Sequence, residues 1–515
     1  MNPVPTVAFE SRPASFDGFV RAQGARLVDG SGRELLLRGV GLGNWLLPEG
    51  YMWGFGPGAE SPREIEALTR RLLGERDAAA FWHGFRTHFV AEADIALIAA
   101  SGFDHVRLPI NSRVIQADDG SPIEAGYDLI DRLIEWCREH RLWVLLDLHG
   151  APGGQTGTNI DDSPNQLPEL FLEPRYRDLT RRLWRDLATR YRDETVVLGY
   201  DLLNEPLPNE WQHSHAGELA TLYRELTADI RAIDPDHLIV YEGAHWATNW
   251  DLFTEVWDEN SLLQFHKYWS SPDTASLAAF LEARERLGLP IYMGEGGENT
   301  VEWIYTAFRL YESHGIGWNF WPWKKIATRT SPASIVPPVG WERVVASIAD
   351  PEAISREEAR EVFARLLDAM RIENCRWQPE IVSALLGDAP ASIPAWGFGF
   401  RGAGESYSVA GGEPLAGIRE TDAAGIRFAR EGDNPLNPFQ QSDGRPYRPE
   451  EELVVRLDRG DWLEFELDRP VPMRAMDARG AEAPVTVEPS ARGIRVTATA
   501  PTDLARLTPD PRTTW

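Results

Sequence analysis

Cysteine is scarce in this chain, and its scarcity excludes two kinds of architecture. Only Cys137 and Cys375 occur among the 515 residues, so the sequence can build neither a framework of several disulfides nor a cysteine-rich metal centre. The histidines are not grouped at the spacing that metal sites use. The sequence therefore predicts no metal and no cofactor.

Positive charge is also in short supply. Lys and Arg together number 52 against 79 Asp and Glu, which gives a formal net charge of -27. Nucleic acids and anionic membrane surfaces are bound through basic protein faces. We therefore expect neither nucleic acid nor membrane as a partner, and we interpret the acidic surface as serving solubility.

Long hydrophobic runs are missing from the sequence as well. No stretch is long and apolar enough to span a bilayer, and the first residues lack the basic and apolar segments of a signal peptide. The chain as given is therefore expected to be cytoplasmic, or secreted if a signal peptide was removed from it. The sequence gives no indication of an oligomeric state.

Tryptophan, in contrast, is abundant. The chain has 20 Trp residues in an otherwise ordinary composition, with 43% hydrophobic and 25% charged residues. Aromatic rings fill protein cores, and they also stack on the apolar faces of sugar rings. Composition alone leaves both explanations open.

Short apolar runs alternate with helical patterns through most of the chain. The predicted strands are 35–42, 105–109, 143–148, 196–203, 237–241, 262–265, 290–293 and 317–320. The predicted helices are 91–100, 129–140, 175–190, 218–233, 274–287, 301–314 and 355–371. Eight strands alternating with helices predict an α/β fold with a closed (β/α)8 TIM barrel over residues 35–387.

The composition and the hydrophobic pattern of the sequence change after Gly387. A linker rich in Ala and Pro leads into short alternating strands with many Gly and Pro residues, which predict a smaller β-sandwich over residues 388–515. We favour a structural role for it over sugar binding. We expect residues 1–34 to form an N-terminal arm, which could pack on that sandwich.

Two glutamates stand where predicted strands end. Glu205 follows the fourth strand and Glu295 follows the seventh, which in a barrel places both carboxyls at the C-terminal rim. Two carboxyls facing one cleft are the minimum equipment for cleaving a glycosidic bond. A single Glu in such a place is more often a surface residue, so the argument depends on the neighbours.

Other strand ends carry groups suited to binding sugars. The candidates are Trp45, Arg107, His149, Asn204, Glu242, His266, Tyr268, Trp269, Trp321 and Trp323. Arg107 also has a plainer explanation as a structural ion pair, and each His as a hydrogen-bonded core residue. The glycine-rich loop at 150–155 lacks the spacing of a nucleotide site. Taken together, the candidates predict one sugar-binding cleft.

These residues resemble those of family 5 glycoside hydrolases, which are (β/α)8 retaining enzymes related to cellulases. Residues 203–206 are similar to the family's acid/base motif, and residues 293–295 to its nucleophile motif. Positions of the family's sugar site are matched by Arg107, His149, Asn204, His266, Tyr268 and Trp321. Residues 44–46 and 147–153 are similar to the exo-β-1,3-glucanase branch. The resemblance covers the barrel and leaves the sandwich unassigned.

The resemblance implies a retaining hydrolase of β-glucosides or short β-glucans, with Glu295 as nucleophile and Glu205 as acid/base. Asn204 and His149 would hold sugar hydroxyls, and Trp321 would form the floor of the site. Long insertions after the first and eighth strands could close one end of the cleft, which favours exo action. An endo-β-1,4-glucanase, a glycosylceramide-type β-glycosidase and a transglycosylase remain alternatives, and a sugar-binding barrel without turnover is the alternative of another class.

Overall fold

The computed structural model describes residues 12–410, 415, 417–422 and 424–510. Within these residues, eight parallel strands form a closed barrel in which each strand pairs with the next one along the chain. The strands are β1 (Arg38–Gly41), β2 (His105–Asn111), β3 (Trp143–Gly150), β4 (Val197–Asp201), β5 (Leu238–Glu242), β6 (Ser261–His266), β7 (Ile291–Gly297) and β8 (Gly317–Trp321). The barrel prediction is confirmed, and each predicted strand overlaps an observed one.

Helices surround this barrel. The described α-helices are Pro62–Leu73, Glu75–His88, Glu92–Ser101, Ser112–Ile115, Glu124–His140, Glu169–Leu172, Pro174–Tyr191, Trp211–Ser214, Ala216–Arg231, Ala244–Ala247, Ala278–Leu287, Val301–Ser313, Trp341–Ala346, Arg356–Ala369 and Pro379–Leu386. The described 3-10 helices are Gly50–Trp53, Asn159–Asp161, Thr274–Leu277, Ile372–Asn374 and Ala395–Gly397. None of the described helices is both long and apolar enough to cross a bilayer.

The insertion after β1 is helical rather than irregular. Ser61 begins the helix Pro62–Leu73 with a capping box, because its hydroxyl accepts from the backbone of Glu64 while the Glu64 carboxylate accepts from the Ser61 backbone. Apolar side chains of this helix and of Glu75–His88 join the main core. The insertion is therefore a packed part of the barrel wall.

The N-terminal arm covers the bottom of the barrel. Strands Arg21–Gln23, Arg26–Val28 and Glu34–Leu35 form a small antiparallel sheet. Val20 and Leu27 pack with barrel residues such as Trp143, at the N-terminal ends of the strands. The described part of the arm thus lies on the barrel rather than on the C-terminal sandwich, because those strand ends expose apolar side chains that need cover. Residues 1–11 lie outside the described residues.

The C-terminal region contains two described antiparallel sheets. One contains Ile393–Pro394, Thr502–Pro509, Leu453–Leu457, Gly425–Phe428 and Met473–Asp477, and the other contains Tyr407–Ser408, Trp462–Glu466, Gly493–Ala498 and Val485–Ser490. Leu457 and Phe465, one from each sheet, belong to the same continuous core as the barrel. A short sheet of Lys324–Ile326, Ala333–Ile335 and Arg376–Trp377 lies between the two regions in sequence. The predicted boundary at residue 387 remains a prediction.

Candidate active site

A cavity of about 640 Å³ opens at the C-terminal end of the barrel strands. Its lining includes seven of the predicted site residues, namely His149, Glu205, His266, Tyr268, Trp269, Glu295 and Trp321. These side chains come from β3, β6, β7, β8 and the turns that follow β4 and β6. The barrel therefore brings to one place groups that are far apart in sequence.

Glu205 and Glu295 face each other across this cavity. Glu295 lies where the register of β7 shifts against its neighbours, and Glu205 has a left-handed backbone with φ of 46°. One carboxylate oxygen of each residue and one ring nitrogen of His266 all lie within 4.8 Å of one another. Local irregularity is what aims the two carboxyls at the same space.

The Glu295 carboxylate is held by two donors. Arg107 Nη1 donates to Oε2 at 2.8 Å, and the Tyr268 hydroxyl donates to Oε1 at 2.8 Å. Burial raises the pKa of Glu295, and the negative charge on Glu205 raises it further. The cations His266 and Arg107 oppose this rise but do not cancel it. Both donors fix the orientation of the carboxylate towards the cavity.

Arg107 lies beneath the cavity and not in its wall. Its guanidinium is fully buried and bridges Asp147 at 3.1 Å, Asp201 at 2.9 Å, Glu242 at 3.0 Å and Glu295 at 2.8 Å. Burial raises the pKa of Asp147 to about 8 and that of Asp201 well above its ordinary range. Arg107 therefore acts through Glu295, as a charge surrounded by four carboxyls, and its predicted contact with substrate stays a prediction.

His266 connects Glu205 to the buried Glu242. Its Nδ1 lies 2.8 Å from Glu205 Oε1, and its Nε2 lies 3.2 Å from Glu242 Oε1. Burial would lower the pKa of His266, but Glu242, Glu295 and the hydrogen bond to Glu205 raise it well above its ordinary value. Glu242 also accepts from the Glu205 backbone at 2.7 Å. Glu242 is thus placed to position Glu205 and His266, and its predicted role as a substrate ligand stays a prediction.

His149 presents a neutral ring to the cavity. Its Nδ1 lies 2.7 Å from Asp147 Oδ2, and its ring stacks on Trp321 at 5.4 Å. Burial lowers the pKa of His149 to about 4, and Arg107 acts in the same direction. Asn204 is fully buried, donates to His149 Nε2 at 3.3 Å and accepts from Arg107 at 2.9 Å. Asn204 therefore lies outside the cavity lining, where it orients His149.

Two of the four predicted aromatic subsites are absent from the cavity lining. Trp321 and Trp269 line it, but Trp45 and Trp323 are buried in the core. Trp45 donates to the Arg86 carbonyl at 2.9 Å, and Trp323 donates to Asp94 at 2.9 Å. Trp323 lies beyond the end of β8 at Trp321, where the alternation of side chains along a strand no longer determines which way it points.

Several residues that line the cavity were not predicted from the sequence. They are Glu49, Tyr51, Ile160, Trp246, Thr248, Glu298, Lys325 and Ser442. Glu298 and Lys325 form a buried ion pair, and the Lys325 ammonium lies 5.2 Å from the centre of the Tyr51 ring. Glu298 lies close to Glu295 in the sequence, and Lys325 lies close to Trp321. This proximity to predicted site residues was the signal that could have identified the pair.

Glu49 adds a third carboxyl to the cavity. Among the described residues, its Oε1 atom is buried and has no hydrogen-bond partner. Burial raises the pKa of Glu49 well above its ordinary range, and the charges of Glu295, Glu298 and Glu205 add to that rise. An unsatisfied buried oxygen costs free energy, so this position favours a ligand that can supply a hydroxyl group.

The Glu205, His266 and Glu295 trio could also be considered as a metal site, since its donor atoms lie close together. Both ring nitrogens of His266 already face carboxylates, Nδ1 at 2.8 Å from Glu205 and Nε2 at 3.2 Å from Glu242, whereas a metal needs one of them free. The donor set therefore fits acid–base chemistry better than metal binding.

Comparisons with known proteins agree with this geometry. The Cellulase (glycosyl hydrolase family 5) family model matches residues 73–326. A Beta-xylosidase of Phanerodontia chrysosporium is 31% identical over 48% of this chain and 52% of its own length. A Probable glucan 1,3-beta-glucosidase A of Emericella nidulans is 32% identical over 45% of this chain and 57% of its own length. Endoglucanase C of Acetivibrio thermocellus is 28% identical over 46% of this chain and 85% of its own length.

The similarity to the first two relatives covers only part of each of those proteins. The chain spans about half the length of the first two relatives, and the matched segment contains both Glu205 and Glu295. The barrel of this chain is therefore similar to the enzymes of glycosyl hydrolase family 5 over residues 73–326.

Proposed function

We propose that this chain is a retaining β-glycoside hydrolase that acts on β-glucosides or short β-glucans from a chain end. The observation that carries the proposal is the separation of the two catalytic carboxyls, with one oxygen of each within 4.8 Å. Retaining enzymes place these groups about 5–5.5 Å apart, whereas inverting enzymes leave about 6.5–9.5 Å for a water molecule.

In the proposed first step, Glu295 attacks the anomeric carbon while Glu205 gives a proton to the leaving oxygen. The bond to the leaving group breaks and a glycosyl ester forms on Glu295. His266 then stabilises the Glu205 carboxylate through the 2.8 Å hydrogen bond. In the second step Glu205 removes a proton from water, which displaces the sugar from Glu295.

The residues missed by sequence analysis support action at a chain end. Glu49, Glu298 and Lys325 gather charged groups in the cavity wall, and Trp321 lies beside them. Charged and polar groups of this kind pair with the hydroxyls of a terminal sugar. The insertion after β1 supports the same proposal, because its 3-10 helix Gly50–Trp53 carries Tyr51, which lines the cavity together with Glu49.

Endo-β-1,4-glucanase activity is the second candidate, since Endoglucanase C matches a similar length of this chain. Product analysis separates the two candidates: end action releases single sugars from the start, whereas endo action releases mixed oligosaccharides. The two carboxyls make a sugar-binding barrel without turnover the weaker alternative. Glycosylceramide-type substrates, transglycosylation and the cytoplasmic location remain predictions.

Replacement of the nucleophile tests the proposal. We expect Glu295→Gln to lower kcat on an aryl β-glucoside by roughly 10⁴-fold or more, because the covalent step loses its nucleophile. Azide should restore part of the activity of Glu295→Ala and give a product of inverted configuration. A panel of aryl β-glycosides with β-1,3- and β-1,4-glucans then identifies the substrate.

Glu302→Gln provides the matched control, since Glu302 lies in the first turn of the next helix and outside the cavity lining. This variant should keep normal activity. Near-normal activity of Glu295→Gln would overturn the assignment of the nucleophile, and a product of inverted configuration from the unsubstituted chain would overturn retention.

A further inference from the structure

Part of the C-terminal region reaches the rim of the barrel. Residues 429–452 connect strands Gly425–Phe428 and Leu453–Leu457 of a C-terminal sheet. Within this connection, residues 437–444 lie against loops of the barrel, and we call them the rim segment. The steps proposed for Glu205 and Glu295 use none of these residues.

The rim segment contacts the loops that follow three neighbouring barrel strands. Asn437 Nδ2 donates to the Trp269 carbonyl after β6 at 2.8 Å. Asn299 Nδ2, after β7, donates to the Phe439 carbonyl at 2.7 Å. A Cβ atom on Gly444 would lie 2.6 Å from Thr330 Cγ2, after β8. The segment therefore crosses the rim beside the strand that carries Glu295.

Buried anchors hold the rim segment in place. The Phe439 side chain is buried, and its ring lies 5.1 Å from that of Trp396. Asn299 is fully buried, so its hydrogen bond to the segment is shielded from water. Just beyond the segment, the Thr300 hydroxyl donates to the Tyr447 hydroxyl at 3.1 Å. These contacts fix the segment against the two loops that also carry Tyr268 and Glu298.

Ser442 carries the rim segment into the cavity. Its side chain is exposed and lines the same cavity as Glu205 and Glu295, together with Glu298 and Lys325. A serine hydroxyl can both donate to and accept from a sugar hydroxyl. It is also small, so the space next to it stays open to substrate.

We propose that the rim segment is a specificity-determining part of the active site, in which Ser442 contacts a sugar unit beyond the one that is cleaved off. This inference rests on the proposed function, and it identifies the rim segment as the part of the cavity wall that limits the length of the substrate. The C-terminal region then contributes Ser442 to the wall of the cavity that holds the substrate.

Enlargement of Ser442 tests this inference. We expect Ser442→Trp to lower kcat/KM for laminaritriose or cellotriose about tenfold more than for an aryl β-glucoside, because only the longer substrate needs the space. Ser408→Trp is the matched control, since Ser408 is an exposed serine in a C-terminal strand and outside the cavity lining. This control should leave the ratio of the two kcat/KM values unchanged.

A pair of glycine variants tests the position of the segment without filling the cavity. Gly444→Ala places a methyl group against Thr330, whereas Gly402→Ala meets no atom within 4 Å, and both residues have positive φ. We expect Gly444→Ala alone to change the trisaccharide ratio. An unchanged ratio in both Ser442→Trp and Gly444→Ala, with the unsubstituted chain active, would overturn the inference.

Inactivity of the unsubstituted chain on every β-glycoside would contradict the proposed function instead. In that case, calorimetric titration of the trisaccharide into the Glu295→Gln variant, with and without Ser442→Trp, decides the inference by binding. Equal affinity of the two would overturn it, and weaker binding with Ser442→Trp would support it.

Discussion

At the scale of single residues, the active site is an arrangement of two cations among many buried carboxyls. Arg107 and His266 together contact Asp147, Asp201, Glu205, Glu242 and Glu295. Burial raises the pKa of Asp147 and Asp201. The two cations do not reverse this rise, because the carboxyls outnumber them. Burial would also raise the pKa of Glu242, but His266, Arg107 and the Glu205 backbone lower it, so this carboxyl keeps its charge beneath the cavity.

The raised pKa of His266 predicts that the stability of the folded chain depends on pH. Its folded-state pKa is raised by Glu242, Glu295 and Glu205 against the effect of burial. A raised pKa means that the folded chain binds the proton more tightly than the unfolded chain. This stabilisation is full below the unfolded pKa of about 6.5 and is lost as the pH rises through the folded value.

We therefore expect His266→Gln to lower the thermal unfolding midpoint most strongly below about pH 6.5, with a gap that narrows at alkaline pH. Differential scanning calorimetry across this range checks it. His83→Gln, at an exposed position on the helix Glu75–His88, is the control and should show no such gap. A gap that widened with rising pH would contradict the assignment of the proton to His266.

At the scale of elements, glycines at the end of β1 and just after it shape the site because they have no side chain. A Cβ atom on Gly41 or Gly43 would lie 2.6 Å from the ring of Trp321, which lines the cavity at the end of β8. Only the absence of a side chain lets that ring lie flat against the first strand and stack on His149. The glycines thus set the depth of the cavity floor.

Gly43→Ala should push the Trp321 ring out of position. We expect kcat/KM on an aryl β-glucoside to fall by up to about 10²-fold, since displacements of about 1 Å have such effects on catalysis. Gly56→Ala is the control, because a Cβ atom there meets nothing within 4 Å. Equal activity of the two variants would show that the ring tolerates the shift.

Much of this architecture could be predicted because it has a local signal. Strand and helix periodicity located the barrel, and strand ends located Glu205 and Glu295. The misplaced Trp45 and Trp323 lie beyond the ends of β1 and β8, where the alternation of side chains no longer determines which way they point. Ser442 carries no local signal, because only long-range packing brings the rim segment to the cavity.

At the scale of the whole molecule, charge links the barrel to the C-terminal region. Arg38 in β1 lies 2.6 Å from Asp468, and Arg309 lies 3.3 Å from the same carboxylate. Glu312 pairs with both arginines at 2.8 Å. The Tyr305 hydroxyl donates to the Glu466 carbonyl at 2.8 Å beside this cluster.

Asp468→Asn should weaken this link. The Arg38 and Arg309 side chains are only 14% and 5% exposed, so the variant leaves two largely buried cations with Glu312 as their remaining acidic partner in the cluster. The Asp468 side chain is 44% exposed, which limits the expected loss of unfolding free energy to about 1 kcal/mol. Thermal unfolding in low salt measures that loss, and high salt should reduce it.

Asp388→Asn is the matched control for this link, since Asp388 pairs with Arg469 at 2.7 Å and both side chains are well exposed. A surface pair of this kind contributes little, so the control should unfold like the unsubstituted chain. If Asp468→Asn and Asp388→Asn unfold alike, the contact between the two regions depends on apolar packing and on Tyr305 rather than on charge. If only Asp468→Asn loses stability, the charge cluster helps to hold the C-terminal region in the position from which the rim segment reaches the cavity.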